Sequence, residues 1–347
     1  MMKISHNNSI ARNVFSRKAR RSGFTLVEML MVLAVIGLLA ATTLFTMYSV
    51  MESARHKRTT SQVERLHQIL MYRWQSYATR TIRLDPSITQ GMSRAQLAEE
   101  RLFALWELQR MEMPERKTDI LDGRTSLLVS EPALWRTYRR QLESELGPDW
   151  QTNWTVEHQN AECLYLVVSN MQIGGKNGID YFLPAEIFDD DGDGVKEIRD
   201  AWLNPITFLR WAPGVSMEYT AGGQTSMGGY STIQITDSDL HHEPLDPTRS
   251  RPEAFALLPY VVSGGPDGIL DLVNARLDTN GDFLPFRYAD PQRVSPLFPS
   301  SAPNNLRNYP YVVSDGIFPF GAVVDANENG VLENGDNITN HLLGATQ

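Results

Sequence analysis

Cysteine is nearly absent. Cys163 stands alone among 347 residues, so no intrachain disulfide can form. An exported domain of this kind must draw its stability from its core or from bound metal. In the run AECLYLVV, Cys163 reads as a buried small hydrophobe. Basic residues are scarce in the second half. Residues 151–347 hold 10 Lys/Arg against 26 Asp/Glu, a net −16, while the whole chain carries −9. Such a surface repels nucleic acid and attracts cations. No Ser/His/Asp or Cys/His arrangement is present, so the sequence offers no catalytic residues and reads as a non-enzyme. Proline is missing from Phe24 to about Thr79, where Gly37 is the one glycine. That stretch can therefore run as a single helix, about 84 Å long at 1.5 Å per residue.

What is present begins with charge of the other sign. Residues 1–23 carry six Lys/Arg and no acid, ending in Arg17-Lys18-Ala19-Arg20-Arg21-Ser22-Gly23. An apolar run follows from Phe24 to Met51, and its only charge is Glu28. This run is too long for a secretory core and long enough to span a bilayer as a helix, with the basic flank on the cytoplasmic side. A carboxylate at this depth costs roughly 2.5–3.5 kcal/mol on insertion scales, which a plain anchor has no reason to accept. Beyond the run, Val63, Leu66, Leu70 and Tyr77 recur at helical spacing among Arg58, Glu64, Arg65 and Arg73, so the helix continues in amphipathic form. Asp85-Pro86 ends it.

The segment RRSGFTLVEMLMVLAVIGLLA closely resembles the type IV prepilin family, through Gly23, Phe24 and Glu28. The resemblance implies a structural filament subunit. A prepilin peptidase of the bacterial inner membrane would cut between Gly23 and Phe24 and methylate the new amine. That ammonium would meet Glu28 of a neighbouring subunit, and an unpaired charge in lipid would disfavour wrong register. The implied partners are the peptidase, other copies and pilin-like subunits, and an inner-membrane assembly platform. The single-pass prepilin would hold its head in the periplasm or, after assembly, at the cell surface.

The rest of the chain divides by texture. The expected fold is α+β: a cleaved leader (1–23), a membrane-spanning stem helix (24–80), a helical insert (81–153) and an acidic, loop-rich β head (154–347). Within the insert, helices are expected over 92–113, with Ser93 and Gln96 at capping-box spacing, and over 131–146, closed by Gly147-Pro148. In the head, Tyr165–Ser169, Tyr260–Ser263 and Tyr311–Ser314 echo one another and read as short buried strands.

Two head loops carry calcium spacing. Asp189, Asp191, Asp193, Gly194, Val195, Glu197 and Asp200 take positions 1, 3, 5, 6, 7, 9 and 12 of a calcium loop. Asp325, Asn327, Asn329, Gly330, Val331, Glu333 and Asp336 repeat them. Side chains at 1, 3 and 5 turn inward, glycine takes the bend, the Val carbonyl ligates and the last carboxylate closes the shell, so calcium is the expected cofactor. Asp, Asn and Gly are also ordinary turn residues, so spacing rather than composition carries this reading. Asp278–Asp282 puts Phe283 where glycine belongs and is a weaker site, and His241-His242-Glu243 reads as a polar loop.

A looser resemblance links IRDAWLNPITFLRW (198–211) and YVVSGGPDGILD (260–271) to the major pseudopilin of type II secretion, in its D-x-W-G-N-P segment and its C-terminal calcium-binding region. Asp200, Trp202, Asn204, Pro205, Ser263, Gly265, Asp267 and Gly268 match, and Leu203 stands where glycine is usual. The sequence therefore reads as a pilus or pseudopilus subunit. The alternative is a membrane-anchored calcium-dependent adhesin or carbohydrate-binding envelope protein, which leaves Glu28 and the Gly-Phe junction without a role. Mass spectrometry of the envelope protein should find an N-terminal methylated Phe24, and Gly23→Glu should block the cut. A mature chain starting at Met1 would overturn the prepilin reading.

Overall fold

The computed structural model describes residues 24–124, 127–219, 230–235, 238–252, 254–270, 273–277, 283–285 and 337–342. The chain divides into two units, residues 1–52 and 53–347. One helix, α1 (Leu26–Ser76), begins in the first and ends in the second, where a 3-10 turn (Tyr77–Thr79) closes it.

In the first unit every residue from Phe24 to Met51 is exposed. So continuous an apolar surface is stable only against lipid or protein. Its threonines do not break the pattern. The hydroxyls of Thr42, Thr43 and Thr46 donate to carbonyls three or four residues back, which hides their polarity in the helix itself.

The second unit opens with the amphipathic part of α1. Val63, Leu66, Leu70 and Tyr77 are wholly buried, as their spacing predicts. After the short α2 (Pro86–Thr89) comes α3 (Arg94–Glu112), whose capping box forms as expected. Ser93 N donates to Gln96 Oε1 at 2.9 Å and Gln96 N to Ser93 Oγ at 3.3 Å. α4 (Lys117–Leu121) leads to α5 (Ala133–Leu146), which buries Trp135, Tyr138 and Leu142 and stops at Gly147, where φ is +84°. α6 (Trp150–Asn153) precedes α7 (Gln159–Ser169).

The strand expected at Tyr165–Ser169 is thus the end of a helix. All residues from Gln159 to Val168 are buried. A short apolar run enclosed on every side has no visible period, so helix and strand look alike in sequence. Cys163 is fully buried there with a free thiol, whose pKa burial pushes well above its usual value.

Antiparallel strands follow. β1 (Gln172–Ile173) pairs with β2 (Lys176–Asn177), and β3 (Ile187–Phe188) with β4 (Glu197–Ile198). The main sheet runs β10–β7–β5–β6, built from β5 (Thr207–Tyr219), β6 (Tyr230–Ile235), β7 (Leu257–Ser263) and β10 (Ile338–Thr339). β8 (Val273–Leu277) and β9 (Phe283–Pro285) form a separate pair. Tyr260–Ser263 is a strand as expected, whereas Tyr311–Ser314 lies outside the described residues. The long apolar helix, helical middle and small antiparallel sheets make an α+β pilin-like fold.

One core joins the stem helix, the middle helices and the sheet. Leu66 and Leu70 share it with Phe103 and Trp106 of α3, Tyr138 of α5, Leu164 of α7, and Phe208 and Val261 of the sheet. Inside lies a buried ion cluster of Arg110, Arg116 and Arg210 with Glu107, Glu115 and Asp119. A bulge in β5 delivers the last cation. Leu209 pairs with Tyr260 and Ala212 with Leu258, so Arg210 and Trp211 both stand opposite Pro259. Both then turn toward the helices. Arg210 Nη1 donates to Asp119 Oδ2 and to the Met113 carbonyl, each at 2.8 Å, and Trp211 Nε1 to Gln109 Oε1 at 2.8 Å. Burial alone would raise the Asp119 pKa, but Arg210, Arg116 and Arg110 outweigh it and hold the carboxyl below its usual range. Arg210→Met would leave three buried carboxylates to two arginines. It should cost about 3–5 kcal/mol in denaturant unfolding of the detergent-solubilised chain.

Candidate functional site

Two places concentrate chemistry. The first is the start of α1. Phe24 is exposed, and Gly23 lies outside the described residues. Glu28 is engaged within its own chain. Its Oε2 accepts from Thr25 N at 2.8 Å and Thr25 Oγ1 at 3.0 Å, while Glu28 N donates to Thr25 Oγ1 at 3.2 Å. This reciprocal box satisfies amide donors that a helix start in lipid would leave bare. The Thr-x-x-Glu spacing announces it, and the reading of Glu28 as an assembly charge passed over it.

The second place is the loop between β3 and β4, a hairpin rather than a link between two helices. Asp189 accepts from Gly192 N and Gly194 N, and Asp193 from Val195 N and Thr155 N. Asp191 accepts from Asp193 N and from the Thr155 hydroxyl. Gly192 and Gly194 have φ of +75° and +101°, the bend assigned to glycine. Carboxylates of Asp189, Asp191 and Glu197 converge, and so do those of Asp191, Asp193 and Glu162, which comes from α7. Glu162 was missed because it lies 27 residues before the loop and only the fold brings it there. Burial is the main cause that pushes Glu162 up to about 10 and Glu197 up to about 8, and the neighbouring aspartates add to it. Val195 is buried as the loop enters β4.

Asp200, expected to close this loop, is turned elsewhere. Its Oδ1 accepts from Trp202 N at 2.8 Å and Asn204 N at 2.9 Å, and its Oδ2 from the Ser263 hydroxyl at 2.6 Å. The backbone reverses immediately after Asp200, and its carboxylate serves that turn. The second loop, with Asp325, Asn327, Asn329, Val331, Glu333 and Asp336, lies outside the described residues, as does Asp278–Asp282. His242 is an ordinary loop residue, with Nε2 3.0 Å from the Asp246 carbonyl.

Residues 18–44 match the family model described as the prokaryotic N-terminal methylation motif. The matched segment holds Gly23, Phe24 and Glu28 and leads into the exposed apolar helix. This fits a type IV prepilin-like protein. No curated protein and no solved structure is significantly similar to the chain. The motif marks structural subunits rather than enzymes. It implies processing by a prepilin peptidase, assembly with other pilin subunits and membrane anchoring of a single-pass precursor.

In this prepilin-like chain, residues 198–211 and 260–271 are in direct contact. Besides the Asp200–Ser263 bond, Asn204 Nδ2 donates to the Gly265 carbonyl at 2.9 Å. Gly265 and Gly268 take positive φ, and a Cβ on Gly268 would press on the Asn204 side chain at 3.0 Å. Leu203 also takes positive φ, +77°. The turn keeps the backbone of a glycine while the residue is leucine, at a cost of roughly 1–2 kcal/mol. Leu203 is 60% exposed, so its side chain returns little by burial. Leu203→Gly should therefore stabilise the chain, by about 0.5–1 kcal/mol after the added freedom of the unfolded glycine. Chemical denaturation would measure it, and destabilisation would show that the leucine packs usefully.

Proposed function

We propose that the chain is a subunit of a type IV pilus-like or type II secretion pseudopilus filament, processed between Gly23 and Phe24 and assembled through α1. The observation that carries this reading is the methylation motif over residues 18–44, set on a helix whose first half is apolar and exposed on all sides. In a filament that surface is covered by the same surface of neighbours, and before assembly by lipid. The prepilin sits in the bacterial inner membrane, with residues 53–347 in the periplasm, and an inner-membrane platform extracts it into the growing filament. The Asp200–Ser263 and Asn204–Gly265 contacts favour the pseudopilin branch, because they tie together the two stretches that resemble it.

Glu28 then has two roles that separate cleanly. Within the chain it caps α1 through Thr25. Between chains its charge receives the Phe24 ammonium of a neighbour. Glutamine caps as glutamate does but carries no charge. Glu28→Gln and Glu28→Ala should both leave cleavage and membrane insertion intact, since each makes the span more apolar. Both should abolish incorporation into sheared or cross-linked filaments. Normal incorporation of Glu28→Gln alongside failure of Glu28→Ala would reduce the residue to a helix cap and refute the charge role.

A further inference from the structure

We infer that this chain binds a calcium ion between α7 and the β3–β4 loop, held by Glu162, Asp191 and Asp193 together with Asp189 and Glu197, and not by a twelve-residue loop closed at Asp200. Three observations carry it. First, the ligand oxygens of Glu162, Asp191 and Asp193 lie within 4.8 Å of one another, as do those of Asp189, Asp191 and Glu197. Oxygens on opposite sides of a calcium ion stand roughly 4.6–5.2 Å apart, twice its bond length of about 2.3–2.6 Å, so one ion reaches every member of a triad. Asp191 belongs to both and joins the two triads.

Second, two of the five are buried with an oxygen to spare. Glu162 and Glu197 are each 0% exposed. Glu162 Oε2 accepts from Trp154 Nε1 at 2.6 Å, and Glu197 Oε2 from Asp190 N at 3.0 Å. Glu162 Oε1 and Glu197 Oε1 have no hydrogen-bond partner among the described residues. A buried, unpaired carboxylate oxygen is costly unless a proton or a cation meets it. Third, Asp200 belongs to neither triad, and its carboxylate is turned to the bend after it and to Ser263.

Lys117, a described cation that acts on the site, does not fill the role. It acts on Asp193 and Glu162 from a distance, but its ammonium donates to the Trp154 carbonyl. The donor set is all oxygen and five-fold negative, which suits a hard divalent ion. Its spread over a loop and a helix suits the variable shell of calcium better than the strict octahedron of magnesium. Bound there, the ion would fasten the β3–β4 hairpin to α7, whose residues Cys163 to Val168 lie in the main core. The site stands whether or not the chain enters a filament.

The test is calorimetric titration of the full detergent-solubilised chain with calcium, in a background carrying Asp325→Ala and Asp336→Ala to remove the second loop. The expected result is one calcium bound, with magnesium at least ten-fold weaker. Glu162→Gln keeps an acceptor for Trp154 and removes the charge. It and Asp191→Asn should each weaken calcium at least ten-fold and abolish the rise in melting temperature that calcium brings. Their melting temperatures in chelator, at or above the parent's, would show that folding is retained. Asp200→Asn should stay within about two-fold of the parent. Terbium emission excited through tryptophan reports the place, since Trp154 adjoins Glu162, and it should vanish with Glu162→Gln. Absence of calcium binding in the parent would overturn the site and leave the carboxylates sharing protons. Unchanged binding in Glu162→Gln, or an equal loss in Asp200→Asn, would return the site to the loop alone.

Discussion

The constraint on which the structure depends is that one helix must serve two solvents. Apart from Glu28, the first half of α1 offers apolar surface and hides its threonine hydroxyls, as a helix in lipid must. The second half presents a single apolar stripe to the protein core and charge to either side. The core closes on that stripe, and polar contacts fix the rotation of the helix. Arg58 and Arg65 reach Glu186, Gln62 Nε2 donates to the Arg199 carbonyl, and Thr59 Oγ1 accepts from Ala201 N. At the far end Glu112 gathers Arg73, Arg80 and the Tyr77 hydroxyl. Every partner comes from a distant part of the chain, so the stem is a structural member of the core and not a handle attached to it.

The middle helices matter for the same reason. α4 and the turn before it supply the carboxylates that meet Arg210, and the β5 bulge supplies the geometry that lets Arg210 and Trp211 point the same way. A buried cluster of equal positive and negative charge adds little net stability over apolar packing, but its hydrogen bonds tolerate only one docking of helix against sheet. Specificity of packing is the role these residues fill, in a chain with no disulfide to staple its parts.

Several features were legible because their physics is local. The capping box at Ser93, the stop at Gly147 and the stripe Val63–Leu66–Leu70–Tyr77 depend on neighbours a few residues away, and the sequence shows them directly. The Thr25–Glu28 box is equally local, a Thr-x-x-Glu spacing at the start of the helix. Tyr165–Ser169 was misread for a different reason. A run buried on all sides loses the polar residues that reveal a period, so its helical form was decided by what surrounds it. The acidic loop falls between these cases. Its inward aspartates and its glycine bend follow from spacing, but Asp200 obeys the turn that comes after it and Glu162 arrives from a helix.

Sequence by itself determined the N-terminal methylation motif, the long apolar helix, the stop and start signals of the middle helices and the placing of negative charge. Each is a property of short segments or of composition, and needs no contact between distant residues. Tertiary structure alone decided which buried arginine meets which carboxylate, that residues 198–211 and 260–271 bond through Ser263 and Asn204, and that Glu162 faces the loop while Asp200 turns away. Those outcomes rest on desolvation. A carboxylate accepts burial only beside a suitable donor, and which donor lies within reach is set by the packing of elements far apart in the chain.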